Sequence, residues 1–304
     1  MGKWVVTAAV CAERGLLTDK LNTMNDTLQT DTLSNENGSP VLRITACCTL
    51  PFVSLYNEDC IETMKRIPDG SIDLMLTDPP YNTTNCDWEY ALNFDLLWKE
   101  WERIIKPNGA LIFTSTQPFT SDLIISNRKL YKYCWYWDRC IKSNFLNAKI
   151  QPIRHIETIV VFYKQQPTYN PILNNKRKDQ IRYNNIKSKQ QDTATLNKVG
   201  YLENRFERRE IPLDMDYPTE LLTFSLPSAN KGRNHPTEKP TDLMRYLILT
   251  YSNKGETVFD GYSGSGTTAE ACMIEQRNFI GSELNKEYFD KSVLRLKNVP
   301  QSLF

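Results

Sequence analysis

The stretch that decides the fold is Asp260-Gly261-Tyr262-Ser263-Gly264-Ser265-Gly266-Thr267-Thr268. An apolar run, Thr257-Val258-Phe259-Asp260, leads into it, and the helical pattern Thr267 to Gln276 leads out of it. Phe279-Ile280-Gly281-Ser282-Glu283 then reads as the next strand. Glycine lets a backbone turn sharply and come close to a ligand, and the helix behind it presents unpaired N–H groups. Glu283, about twenty residues after the turn, ends a strand where a carboxylate can accept from ribose hydroxyls. Two readings fit: a tight strand-to-helix turn, or a nucleoside site. Thr267 stands where a Walker loop needs lysine, and the glycine spacing is not that of a dinucleotide fingerprint.

Upstream, strands and helices alternate. Ile72 to Thr77, Ala110 to Ser115, Tyr133 to Trp137 and Thr158 to Tyr163 are apolar runs bounded by turn residues. Phe94, Leu97, Trp98, Trp101, Ile104 and Ile105 recur at helical spacing, and Lys106-Pro107-Asn108-Gly109 ends that helix. Leu243, Leu247 and Tyr251 share a helix face, and a last helix runs from about Lys286 to Lys297. The pattern predicts an α/β fold with a mostly parallel central sheet. Residues 1–50, rich in polar residues, read as a poorly ordered extension; the short apolar run after Met1 only faintly suggests a secretory signal. Residues 51–164 and 234–304 read as two parts of one domain, and 165–233 as an insertion with little core of its own.

The 304 residues carry a net charge of +1. Arg128 to Lys189 nevertheless holds 14 Lys/Arg against 3 Asp/Glu, a local +11, interleaved with ten aromatics. Cations neutralise phosphates and rings stack on bases, so the window suits nucleic acid; a solvated charged face beside core aromatics fits as well. Eight cysteines without a CxxC pair, and only two histidines, give neither a disulfide framework nor a zinc site. No metal is expected. Scattered thiols suit a reducing, cytoplasmic setting, and no apolar run is long enough to span a membrane.

Asp78-Pro79-Pro80-Tyr81 follows the strand Ile72 to Thr77. Ligands of open α/β sheets bind beyond such strand ends. Two prolines fix an extended bend whose carbonyls accept, Asp78 adds an acceptor and Tyr81 a flat ring. That combination suits an exocyclic amino group on a planar base, although a rigid turn with an Asp cap uses the same residues. His235-Pro236-Thr237-Glu238-Lys239-Pro240 reads alone as a helix start, capped by Thr237 with Pro240 in the first turn.

Taken together and in this order, the three motifs resemble the β class of amino-group DNA methyltransferases: catalytic motif, variable region, cofactor loop. Tyr56 to Asp73 and Tyr288 to Leu296 extend the resemblance, which covers roughly 56–164 and 234–297. Gly261-Tyr262 departs from the family's common Pro-Phe. The resemblance implies a Rossmann-like, S-adenosylmethionine-dependent methyltransferase fold with an inserted target-recognition region at 165–233. It implies that Asp260 and the turn Gly264, Ser265, Gly266 and Thr267 hold the cofactor's methionine part. Lys239 and Thr237 would stand near its carboxylate, Glu283 on its ribose, and Asp59, with Cys60 beside it, at its adenine. Asp78, Pro79, Pro80 and Tyr81 would be catalytic. The reaction would be methylation of adenine N6 in double-stranded DNA after base flipping, with N4-cytosine methylation, RNA methylation and a DNA-binding protein without catalysis as alternatives. Lys176, Arg177, Lys178, Arg182, Lys187 and Lys189 would contact DNA. A homodimer and a cognate restriction enzyme are further partners that such a family implies.

Overall fold

A computed structural model describes residues 29–36, 38–45, 51–81, 92–143, 145–175, 212, 214–226 and 238–300. In chain order the strands are β1 (Gln29–Ser34), β2 (Pro40–Thr45), β3 (Val53–Tyr56), β4 (Ile72–Thr77), β5 (Ile105–Ser115), β6 (Tyr131–Ser143), β7 (Arg154–Tyr163), β8 (Asn174–Asn175), β9 (Met215–Asp216), β10 (Leu221–Thr223), β11 (Thr257–Asp260) and β12 (Asn278–Ser282). The helices are α1 (Cys60–Lys65), α2 (Phe94–Ile104), α3 (Phe119–Ser126), α4 (Thr241–Tyr251), α5 (Thr267–Ile274) and α6 (Lys286–Lys297).

The main sheet runs β1-β2-β3-β12-β11-β4-β5-β7-β6-β10. Its centre, β3 to β5, is parallel throughout, and β7 lies antiparallel between β5 and β6. The central strands are apolar on both faces because both are covered. Leu74 and Leu76 face one core with Leu243, Leu247, Tyr251 and Phe289 of α4 and α6. Met75 and Phe113 face the other with Met64, Trp98, Trp101 and Leu123 of α1 to α3. From the neighbouring strands β4 and β11 the chain winds outward in opposite directions, β4 to β5 and β11 to β12. A doubly wound sheet opens a crevice beyond the strand ends at such a junction.

Two expectations change. Residues 1–50 are not wholly outside the fold: Val41, Leu42 and Ile44 are buried as β2 pairs with β3, and β1 closes the edge as a hairpin. The exposed residues of β1 hid this in the sequence, since a polar edge strand has no apolar period. At the hairpin turn, Asn35 Nδ2 donates to Glu58 Oε2 at 2.7 Å, next to Asp59. The region 165–233 is also partly built into the core. The strand β10 extends the sheet beside β6 with Leu222 buried, and Asn170 N–H donates to Thr250 O at the end of α4. Among the described residues no helix is long and apolar enough to cross a membrane.

Candidate active site

Asp260 closes β11 as a nearly fully buried carboxylate. It accepts from Thr77 Oγ1 at 2.7 Å and from Tyr262 N–H at 3.0 Å. Burial pushes its pKa up to about 6, against the pull of hydrogen bonds from Thr77, Thr268 and Tyr262. Because Thr77 ends β4, this bond ties the two junction strands together at their carboxyl ends. Beyond it, Gly264 and Gly266 take left-handed φ of 54° and 81°. Gly266 caps α5, and a Cβ there would come 3.0 Å from Ser292 Cβ. Gly264 N–H donates to Glu283 Oε2 at 2.8 Å, and Asn285 N–H donates to Glu283 Oε1 at 2.7 Å. Burial pushes Glu283 up to about 7, although those two N–H groups pull it down.

Helix α6 clamps this loop from behind. Ser292 Oγ donates to Gly264 O at 2.7 Å. Arg295 donates to Thr267 Oγ1 at 2.5 Å and to Ser265 Oγ at 3.4 Å, and it forms an ion pair with Glu238. The turn is therefore joined to the segment that precedes α4. Asp59 caps α1, accepting from Ile61 N–H at 2.8 Å. Burial pushes the Cys60 thiol up to about 12, so Cys60 acts as a small apolar wall.

Across the junction, Asp78 is surrounded by its own chain. Tyr81 Oη and Thr114 Oγ1 both donate to Oδ1, and Lys239 Nζ donates to Oδ2 at 2.6 Å. Lys239 is 8% exposed and also stands 3.6 Å from Glu157 Oε2. Glu157 in turn meets Arg139 at 3.2 Å. Burial pulls the Lys239 pKa down, but the charges of Asp78 and Glu157 outweigh it and hold it above the usual lysine value. The Tyr81 ring stacks on Phe119, with centroids 5.2 Å apart. Burial and the Asp78 charge push its hydroxyl far above the usual range.

A single cleft of about 740 Å³ is lined by Asp78, Pro79, Pro80 and Tyr81 on one side and by Asp260, Gly264, Ser265 and Thr267 on the other, with Asp59, Cys60, Lys239 and Glu283 at its walls. The two motifs of the sequence thus share one site. Three expectations are modified. Lys239 spends its charge on Asp78 and Glu157, because Asp78 follows the end of β4 and Glu157 lies near the start of β7, both within its reach. Tyr81 gives part of its ring to Phe119. The N-cap position of α4 is Pro240, with no side-chain cap among the described residues, and the helix starts at Thr241, whose Oγ1 donates to Glu270. Thr237 and Lys176, Arg177, Lys178, Arg182, Lys187 and Lys189 lie outside the described residues. Thr114, Glu157, Arg139 and Arg295 were not foreseen.

Fold and cleft together are of the Rossmann-like methyltransferase class. Comparison with known proteins narrows this. A family model for DNA methylases matches residues 72–294. The DNA adenine methyltransferase YhdJ of Escherichia coli (strain K12) is 28% identical over 264 residues, covering 80% of this chain and 82% of the relative. The type II methyltransferase M.HpaI of Haemophilus parainfluenzae is 29% identical over 259 residues, covering 80% and 73%. The solved PvuII DNA methyltransferase (cytosine-N4-specific) shares the fold with a TM-score of 0.57 at 19% identity, over 82% of this chain and 89% of that one. The M1.HpyAVI–SAM complex does so at 0.54 and 23% identity, over 80% and 98%. The chain belongs to the amino-group DNA methyltransferase family, whose methyl donor is S-adenosylmethionine.

The cleft fits that donor. Its volume is in the range of small-molecule sites. Ser263 Oγ is buried on the cleft wall with no hydrogen-bond partner among the described residues, a polar group left for a ligand. Two carboxylates, Asp59 and Glu283, face the cleft for hydroxyl and amino donors.

Proposed function

We propose that this protein transfers the methyl group of S-adenosylmethionine to the N6 amino group of adenine in double-stranded DNA, with the base turned out of the helix into the cleft. The observation that carries the reading is the meeting of Asp78 and the Gly264 turn in one crevice at the β4/β11 junction. Glu283 would accept from the cofactor's ribose, Asp59 from its adenine amine, and Asp260 with the residues 264–267 turn would hold its methionine end. Thr237 would stand near that end, while Lys239 stays with Asp78 and Glu157. Lys176, Arg177, Lys178, Arg182, Lys187 and Lys189 would meet DNA, as Lys and Arg do on phosphates and guanine edges.

The cofactor supplies a sulfonium-bound, already electrophilic methyl group. What remains for the protein is position and polarity. An aniline-like N6 lone pair is spread into the ring. Asp78 and a Pro79 or Pro80 carbonyl accept its two hydrogens, which favours a tetrahedral nitrogen and stabilises the positive charge that develops there. Asp78 Oδ2 is engaged by Lys239 and Oδ1 by Tyr81 and Thr114, so the incoming amine exchanges for one of these donors. Transfer is direct, without a covalent intermediate on the enzyme.

Nucleoside mass analysis and methylation-sensitive sequencing of DNA from cells expressing the chain test this. N6-methyladenine at one short sequence is expected, and Asp78→Ala lowers transfer at least about 100-fold while S-adenosylmethionine binding survives. N4-methylcytosine instead would move the reading to cytosine, the base named for the PvuII enzyme of the same fold. An active Asp78→Ala enzyme would refute the role of Asp78.

A further inference from the structure

The hairpin that joins β6 to β7 runs from the wall of the cleft out into solvent. Arg139, Ile141 and Ser143 line the cleft. Two residues past Ser143, at most about 7 Å of chain, the tip begins. There Phe145 is 63% exposed, Leu146 99% and Ile150 81%. Single exposed leucines are ordinary on any protein surface, but three large apolar side chains bared within six residues mark a contact surface. The tip is shaped by its own backbone: Ala148 N–H donates to Phe145 O at 3.1 Å, and the Ile150 and Gln151 N–H groups to Asn147 O at 3.0 Å. It therefore holds its form without burying those side chains.

The flanking charge names the occupant. Lys142, Lys149 and Arg154 are exposed around the apolar tip, and no Asp or Glu occurs from Arg139 to Ile156. A second copy docking symmetrically would bring the same cations face to face. A polyanion with an apolar interior has the opposite character, and stacked DNA is such a polymer. Apolar side chains entering between base steps are a known way to unstack a duplex, and a base drawn into the cleft leaves a hole that something must fill.

We propose that the β6–β7 tip is a wedge: Phe145 and Leu146 enter the duplex beside the target base and fill the gap left when it moves into the cleft, while Lys142, Lys149 and Arg154 face the flanking phosphates. This rests on the reading of the chain as a methyltransferase of duplex DNA. The wedge works only while the base must be extracted from a pair, and that gives the test. Two duplexes carry the sequence found by methylation-sensitive sequencing, one with the target base paired and one with an abasic site opposite it, where extraction is already cheap. The Phe145→Ala/Leu146→Ala double variant is expected to lose about tenfold or more in transfer rate on the paired duplex and to come within about twofold of the wild type on the abasic one. Its S-adenosylmethionine affinity, read by calorimetry, stays unchanged. No loss, or an equal loss on both duplexes, overturns the wedge. A wild-type dimer turned monomeric by the double variant, read by light scattering, overturns it in favour of a second copy. A wild type that methylates neither duplex sinks the underlying reading, and the wedge with it.

Discussion

The two walls of the cleft are built by different means. The Gly264 side is held by backbone: two left-handed glycines, a helix cap, a hydrogen bond from Ser292 Oγ to Gly264 O and one from Gly264 N–H to Glu283. The Asp78 side is held by side chains, with Tyr81, Thr114 and Lys239 all donating to one carboxylate. A backbone cradle is fixed before its ligand arrives and costs no reorganisation. A side-chain cluster can exchange one donor for another. On the proposed function, the Gly264 wall would be a mould for the cofactor, whereas the Asp78 wall would be a set of contacts that the target amine replaces.

The sharpest way to break this contrast is to take the cation from the catalytic wall. Lys239→Met leaves Asp78 and Glu157 close together with, among the described residues, only Arg139 against the second. Removing one partner of a buried pair costs about 3 kcal/mol or more. For a chain of this size the expected result is a Tm lower by about 5 °C. In the double variant Lys239→Met/Glu157→Gln, part of that loss returns, because the repulsion between the two carboxylates is gone. A single variant as stable as the wild type in a thermal melt would mean that the lysine is not part of this cluster.

A smaller effect is expected on the cofactor wall, and two glycines there grade it. Gly264 and Gly266 both have positive φ, but an added Cβ meets Ser292 at Gly266, whereas at Gly264 it meets none of the described residues. A non-glycine residue in this region costs on the order of 1 kcal/mol from φ alone. Gly266→Ala adds the push against α6 and is expected to cost about 2 kcal/mol and to weaken cofactor binding. Gly264→Ala is expected to cost about half of that. Equal losses in denaturant titrations would show that the turn is not pinned by Ser292, and that the wall is softer than a mould.

The same division explains what was legible in the sequence. The walls of the cleft were readable where backbone chemistry writes them: Gly264 and Gly266 at a strand-to-helix turn, Pro79 and Pro80 after an apolar strand, Glu283 at the end of the next one. Strand β4 and helix α6 follow their expected bounds, since apolar runs flanked by turn residues leave little choice. Thr114, Glu157 and Arg295 were not legible. Each is an ordinary polar residue whose role depends on which distant element lies beside it, a strand for Thr114 and Glu157 and the Ser265–Thr267 turn for Arg295, and such neighbours are not local in sequence. The hairpin β1–β2 was missed for a related reason: one strand is exposed and polar, so only its pairing makes it a strand.

The smallest expected effect lies in the titration of Glu283, and it tests whether the mould is charged when filled. Burial holds its pKa near 7, above the 4.5 of a free glutamate. A carboxyl raised on folding favours the folded state fully below its unfolded value, and that contribution fades as pH climbs through 7. The ligand-free protein therefore gives up some stability between about pH 5 and 7 through this group. Cofactor binding runs the other way, because ribose hydroxyls and a cationic sulfonium favour the ionised form. Binding should expel a proton from Glu283, so affinity falls as pH drops below 7, by less than tenfold per pH unit for one linked proton. Calorimetry at pH 6 and 8, in two buffers of different ionisation enthalpy, reads both the affinity and the proton. Glu283→Gln removes the titration and flattens the profile. A wild-type affinity that stays level from pH 6 to 8 would mean that Glu283 stays bonded to Gly264 and Asn285 and never turns to the ribose.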